Sequence, residues 1–89
     1  MINSKSHESN KITGTQLRAA RAMIRWSAKD LAKAAGIGVA TVSRAEVEDG
    51  TPSITNANLR AMQLALETAG IEFIPENGGG AGVRLKKPE

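Results

Sequence analysis

The sequence holds one histidine, His7, and no cysteine, and that shortage limits the chemistry open to it. His7 stands among Ser, Asn and Lys in a polar, aperiodic stretch, Met1 to Lys11, with no second imidazole or thiolate to complete a zinc site. From Thr13 onward there is no histidine, so no Ser/His/acid set arises in the periodic part of the chain. Glycines crowd residues 78–82, but a phosphate-cradling glycine loop opens a helix, with Lys-Ser/Thr following in the nucleotide-binding version. Here the run leads into Val83-Arg84-Leu85-Lys86, which alternates like a strand, so it reads as a hairpin connection. These residues point away from an enzyme and imply neither cofactor nor metal ion.

Charge aimed at an anion is the remaining chemistry. The net charge is +3, yet Thr13 to Glu76 carries seven basic residues (Arg18, Arg21, Arg25, Lys29, Lys33, Arg44, Arg60) against seven acidic ones. The excess sits in the two ends, at Lys5, Lys11, Arg84, Lys86 and Lys87. Overall charge is therefore weak ground for a nucleic-acid partner, and the spacing of residues must decide it.

The elements that would position these side chains follow from hydrophobic spacing. One pattern occurs four times: an apolar residue, a capping residue, then another apolar residue five positions after the first. The pairs are Ile12/Leu17 around Thr13, Trp26/Leu31 around Ser27, Ile37/Val42 around Gly38 and Ile54/Leu59 around Thr55. This is the hydrophobic staple, in which the residue before the cap packs on the first turn and fixes how the chain turns into the helix. Thr13 with Gln16, and Ser27 with Asp30, also place side-chain acceptors where free N–H groups need them. The spacing predicts helices over about Gly14 to Arg25, Ala28 to Ala35, Val39 to Val47 and Asn56 to Ala69. Gly36 and Gly70 stop the second and the last. After Gly70 the period becomes two, with Ile71 and Phe73, then Val83 and Leu85, on one face, which predicts a C-terminal hairpin. A two-stranded ribbon is marginal alone, so its apolar face must pack on the helices or meet a second protomer.

Eighty-nine residues, 40% apolar with Trp26 and Phe73 as the only aromatics, suit one small helical domain with Trp26 in the packing. No apolar run approaches the ~20 residues that span a bilayer. The polar N-terminus lacks the apolar stretch of a secretory signal. With no cysteine, a cytoplasmic protein without a membrane partner is expected.

Within this frame Ser27 to Glu46 is two short helices joined by Gly36-Ile37-Gly38, the kind of tight turn that projects a second helix outward at a steep angle. Ala32, Ala35 and Ala45 keep the crossing close, and Leu31, Ile37 and Val42 supply its core. At these residues the chain resembles the Cro/repressor (XRE-type) helix-turn-helix family. The likeness runs from roughly Thr15 to Leu66 and rests on Leu17-Arg18-Ala19-Ala20-Arg21, Trp26-Ser27-Ala28-Lys29-Asp30-Leu31-Ala32, Ala35-Gly36-Ile37, Thr41-Val42-Ser43-Arg44 and Glu46.

The resemblance implies a mainly α, lambda-repressor-like bundle of four to five helices with a C-terminal β-hairpin or ribbon. Its parts are a disordered arm (1–12), a DNA-binding domain (13–70) and a ribbon with a basic tail (71–89). It implies a homodimer on double-stranded DNA, associated with the nucleoid, whose third helix (39–47) enters the major groove. Val39, Ala40, Ser43 and Arg44 match base-contacting positions, with Arg44 suited to guanine O6 and N7. Ser27, Lys29, Lys33, Thr51 and Ser53 match phosphate-contacting positions. Arg21 and Glu46 match a structural ion pair. Family members often carry Gln at the position of Ala28 and polar residues at those of Val39 and Ala40. Polar base readout is therefore thinner here, and DNA shape supplies part of the specificity.

Plainer roles fit the same residues: an αα-corner for Ser27 to Glu46, a solvated or phosphate-bound Arg44, a solvated face for Lys29 and Lys33. Two alternatives to a regulator, probed by different experiments, stay open. One is a DNA-binding antitoxin whose residues 71–89 face a toxin partner; the other is a helical protein-interaction module.

Overall fold

A computed structural model describes residues 11–87, so the expected arm lies outside the described residues save for Lys11 and Ile12. Ile12 is 2% exposed and belongs to the core. Four helices and a hairpin follow: α1 (Gly14–Met23), α2 (Ala28–Ala35), α3 (Val39–Val47), α4 (Asn56–Thr68), β1 (Ile71–Ile74) and β2 (Gly82–Leu85). No helix among the described residues is long and apolar enough to cross a membrane.

The four staples mark the four helix starts, and the N-caps are Thr13, Ser27, Gly38 and Thr55. Thr13 and Ser27 close full capping boxes with Gln16 and Asp30, so two orphan donors at each helix start are satisfied reciprocally. Gly36 adopts φ 73° after α2, letting the Ile37 N–H reach back to the Ala32 carbonyl at 3.0 Å.

Helix α1 stops two residues short of the expected Arg25, and the reason is a C-terminal motif without its usual glycine. The Trp26 N–H donates to the Arg21 carbonyl (3.0 Å) and the Arg25 N–H to that of Ala22 (3.2 Å), with Arg25 in the left-handed region at φ 60°. That is the Schellman pattern, normally built on glycine because a Cβ is strained there.

Leu17, Leu31, Val42, Met62, Leu66 and Ile71 are fully buried, so every helix and the first strand contribute to one core. The hairpin is antiparallel, with Ile71 opposite Leu85, Glu72 opposite Arg84 and Phe73 opposite Val83. β1 packs on α4 and β2 on α1, so Ile71, Phe73 and Val83 are covered by the chain's own helices, while Leu85 at the end of the same face is 54% exposed. Gln16 fastens it. While its Oε1 accepts from the Thr13 N–H (2.9 Å), its Nε2 donates to the carbonyls of Ile74 (3.2 Å) and Gly82 (2.9 Å).

The start of α1 lies against the end of α3 so closely that Gly14 admits no side chain. Its N–H donates to the Gly50 carbonyl (3.0 Å), and a Cβ would overlap the Glu48 carbonyl oxygen and lie 2.8 Å from that of Ala45. Two substitutions on α1 should thus move stability in opposite directions in urea denaturation. Gly14→Ala should destabilise by about 2–3 kcal/mol through overpacking against backbone, and Arg25→Gly should stabilise by about 0.5–1 kcal/mol by relieving left-handed strain.

Candidate nucleic-acid interface

Helix α3 divides lengthwise into two faces. Val42, Ala45 and Glu46 are buried against the bundle, and Val39, Ala40, Ser43 and Arg44 are exposed. Val39 is 45% exposed, a large apolar side chain left facing water. Arg44 is the only cation of α3, and it makes no salt bridge among the described residues.

What holds α3 in this roll is an ion pair with α1. Arg21 Nε and Nη2 donate to the two carboxylate oxygens of Glu46, each at 2.8 Å, in the fork-to-fork geometry that suits guanidinium and carboxylate. The remaining nitrogen, Nη1, donates to the Trp26 carbonyl at 2.9 Å. Glu46 is 7% exposed, and the hydrogen bonds it accepts push the Arg21 pKa above its ordinary value, burial opposing them. Arg18 adds a second tie that residue spacing did not reveal. It donates to the Glu46 carbonyl and, at 2.8 Å, to Asp49, which also accepts from Thr15 through its carbonyl oxygen at 3.1 Å.

The residues matched to phosphate contacts lie in two places. Ser27, Lys29 and Lys33 are exposed on α2, with the two lysines one turn apart. The Ser27 hydroxyl accepts from the Asp30 N–H (3.0 Å), and Asp30 takes the Ser27 N–H in return (2.9 Å). The helix start therefore already holds one carboxylate, and an incoming anion meets the remaining free amides of the first turn. Accepting from the Ser27 backbone first and its hydroxyl second holds the Asp30 carboxyl below its ordinary 3.8.

Thr51 and Ser53 lie in the α3–α4 loop, both exposed. The Ser53 hydroxyl donates to Glu48 at 2.9 Å, a carboxylate partner that spacing had not suggested. Ser53 and Arg44 meet in one shallow depression of about 390 Å³, with Thr41, Thr55 and Asn58 also on its walls. Arg44, hydroxyls and an amide thus converge beside the start of α4, whose cap Thr55 accepts from the Asn58 N–H at 3.1 Å.

Two short helices, a left-handed glycine between them, and a second helix braced by a buried ion pair with its other face open form a helix-turn-helix. The helix-turn-helix family profile matches residues 17–61, about half of the chain. The chain belongs to the helix-turn-helix family. It is a DNA-binding transcriptional regulator of the Cro/repressor (XRE) kind, from a family that is regulatory and generally non-enzymatic. No curated protein matches the sequence.

Within the helix-turn-helix the ion pair and the capping box make separable predictions. Arg21→Met should lower the unfolding free energy by about 2–4 kcal/mol, because it strands the buried Glu46 carboxylate. Denaturant titration of the two proteins side by side measures this. Asp30 acts through pH: its native pKa is depressed, so its contribution is complete above 3.8 and is lost as pH falls through the lowered native value. Asp30→Asn should be less stable than the parent at neutral pH and lose less of its stability on acidification below 3.8. Equal acid loss in both would assign the effect to other carboxylates.

Proposed function

We propose that this helix-turn-helix protein is a sequence-specific repressor that reads the major groove of double-stranded DNA with α3, as a homodimer on a pseudo-palindromic site. The observation that carries the reading is the split of α3: Glu46 and its neighbours are locked inward, leaving Val39, Ala40, Ser43 and Arg44, which has no salt bridge among the described residues, outward. Arg44 donates to guanine O6 and N7, Ser43 hydrogen-bonds an adjacent base edge, and Val39 and Ala40 meet thymine methyls. Lys29, Lys33 and the Ser27 hydroxyl hold the phosphate backbone on the α2 side. Thr51 and Ser53 hold it on the loop side, Ser53 turning its hydroxyl from Glu48 to do so.

Thr13 to Glu76 carries as many acidic as basic residues, and the outward face of α3 has a single cation. One copy therefore binds weakly, and two recognition helices one DNA turn apart supply the affinity and the symmetry of the site. Occupancy of a promoter by such a dimer excludes other proteins without further activity, which favours repression. The ribbon packs most of its apolar face, Ile71, Phe73 and Val83, on α1 and α4, and this supports the regulator over an antitoxin that presents residues 71–89 to a toxin.

Selection of bound sequences from a random duplex pool tests the reading, and a single enriched motif with two half-sites is the expected result. Against that motif, Arg44→Ala should weaken binding by about 1–3 kcal/mol and relax preference at one base pair per half-site. Replacing Lys29 and Lys33 by Ala should weaken all sequences alike and flatten the salt dependence. No enrichment over the starting pool, or an Arg44→Ala protein with unchanged preference, would overturn the assignment of α3.

A further inference from the structure

The side of α4 turned away from the core is not built like an ordinary solvated helix face. Leu59, Met62 and Leu66 point inward and are buried. The opposite side carries Ala57, Ala61, Leu64 and Thr68, spaced by four, three and four residues, as in the seam of a pair of packed helices. Leu64 is 64% exposed at its centre. On one flank Leu64 borders a groove of about 380 Å³ between α2 and α4, walled by Trp26, Ala34, Ala35, Ala65 and Ala69. Its other flank borders a depression shared with Arg60, Gln63 and Glu67. A protruding leucine and an alanine-lined hollow thus lie side by side on one surface, as a self-complementary two-fold contact requires.

Charge selects the occupant and its direction. Arg60 and Glu67 stand two turns apart along the same edge of the stripe. Arg60 makes no salt bridge among the described residues. One Glu67 oxygen accepts from Gln63 within the helix at 3.1 Å, leaving the other available. A two-fold axis crossing α4 between Gln63 and Leu64 brings Arg60 opposite Glu67 of the second copy, and the reverse. A two-fold parallel pairing puts the charged edges of the two helices on opposite sides of the seam, where no Arg60–Glu67 pair forms.

We propose that the outer face of α4 is a homodimer contact. The two α4 helices cross antiparallel, Leu64 of each copy packs across the axis beside the alanine groove of the other, and two Arg60–Glu67 pairs close the charged edge. This rests on the homodimer reading above and names its surface, one distinct from the ribbon. The apolar seam supplies the affinity, and the exposed ion pairs set direction more than strength.

Sedimentation equilibrium on the full chain tests it with the parent, Leu64→Glu, Arg60→Glu and the double reversal Arg60→Glu with Glu67→Arg. All substituted side chains are wholly or partly solvent-facing, and thermal melts followed by circular dichroism establish that each variant folds. Leu64→Glu should raise the dimer Kd by about 30-fold or more, and Arg60→Glu by about 3- to 5-fold. The double reversal should return to about the parent value, because both pairs reform with exchanged signs. A parent chain that stays monomeric at the highest soluble concentration overturns this proposal together with the homodimer reading. A parent dimer indifferent to Leu64→Glu overturns the surface alone and leaves the homodimer standing. A double reversal as weak as Arg60→Glu overturns the antiparallel crossing.

Discussion

The guanidinium of Arg21 ties α1 to the distant end of α3 and to the turn just before α2, and the geometry of α3 depends on it. Two of its nitrogens grip Glu46 and the third holds the carbonyl of Trp26, at the junction of α1 and α2. A buried carboxylate tolerates no vacancy in its partner, since an uncompensated charge in a poorly solvated site costs several kcal/mol. Helix α3 therefore has one roll that satisfies Glu46. A turn by a single residue, about 100°, would carry the carboxylate off the guanidinium and move Ser43 and Arg44 off the outward face. The direction in which the proposed reading surface faces is thus a consequence of where Arg21 stands on α1.

That position is in turn fixed at both ends of α1. At its start, Gly14 lets the backbone close on the end of α3 and donate to Gly50, a distance no side chain would permit. At its end, the left-handed Arg25 turns the chain so that the Trp26 carbonyl faces Arg21. Between them Gln16 joins the first turn to both strands of the ribbon. The C-terminal hairpin therefore buttresses α1, and through α1 it reaches the reading helix. Ile71, fully buried in the common core, shows the same dependence. Helices and ribbon make a single folded unit, although their hydrophobic periods differ.

Features set by neighbours in sequence were legible before the structure. A staple and its cap involve residues five positions apart, so Thr13, Ser27, Gly38 and Thr55 could be placed as helix starts, and Gly36 as a stop. The end of α1 was not legible, because apolar Ile24 continues the helical face and Arg25 stands where a glycine would have marked the turn. Gly14 was hidden for another reason: only its approach to Glu48, far along the chain, gives it meaning. Gln16 was read as a capping side chain, which accounts for its oxygen. Its amide nitrogen is used by carbonyls of the hairpin, and no local pattern could assign those. At the candidate site, Arg44 and Ser43 were singled out by the family resemblance, whereas the Ser53–Glu48 hydrogen bond joins two loop residues whose geometry exists only after folding.

The capping box at α2 bears on how such a protein distinguishes one DNA site from another. A bare helix start attracts phosphate wherever it meets a duplex, and that attraction carries no sequence information. Here Asp30 already occupies part of the start of α2, Glu48 holds the Ser53 hydroxyl, and Asp49 faces Arg18. Each of these acids stands beside a position that would otherwise favour the backbone. On the proposed reading, non-specific affinity, which is mostly counterion release from phosphates, is thereby kept low across Thr13 to Glu76, which has no excess of positive charge. Discrimination is the ratio of specific to non-specific binding, so lowering the second term raises it as surely as adding a base contact. On that reading, α3 can then be sparse in polar groups, provided that a second copy restores the affinity its surroundings withhold.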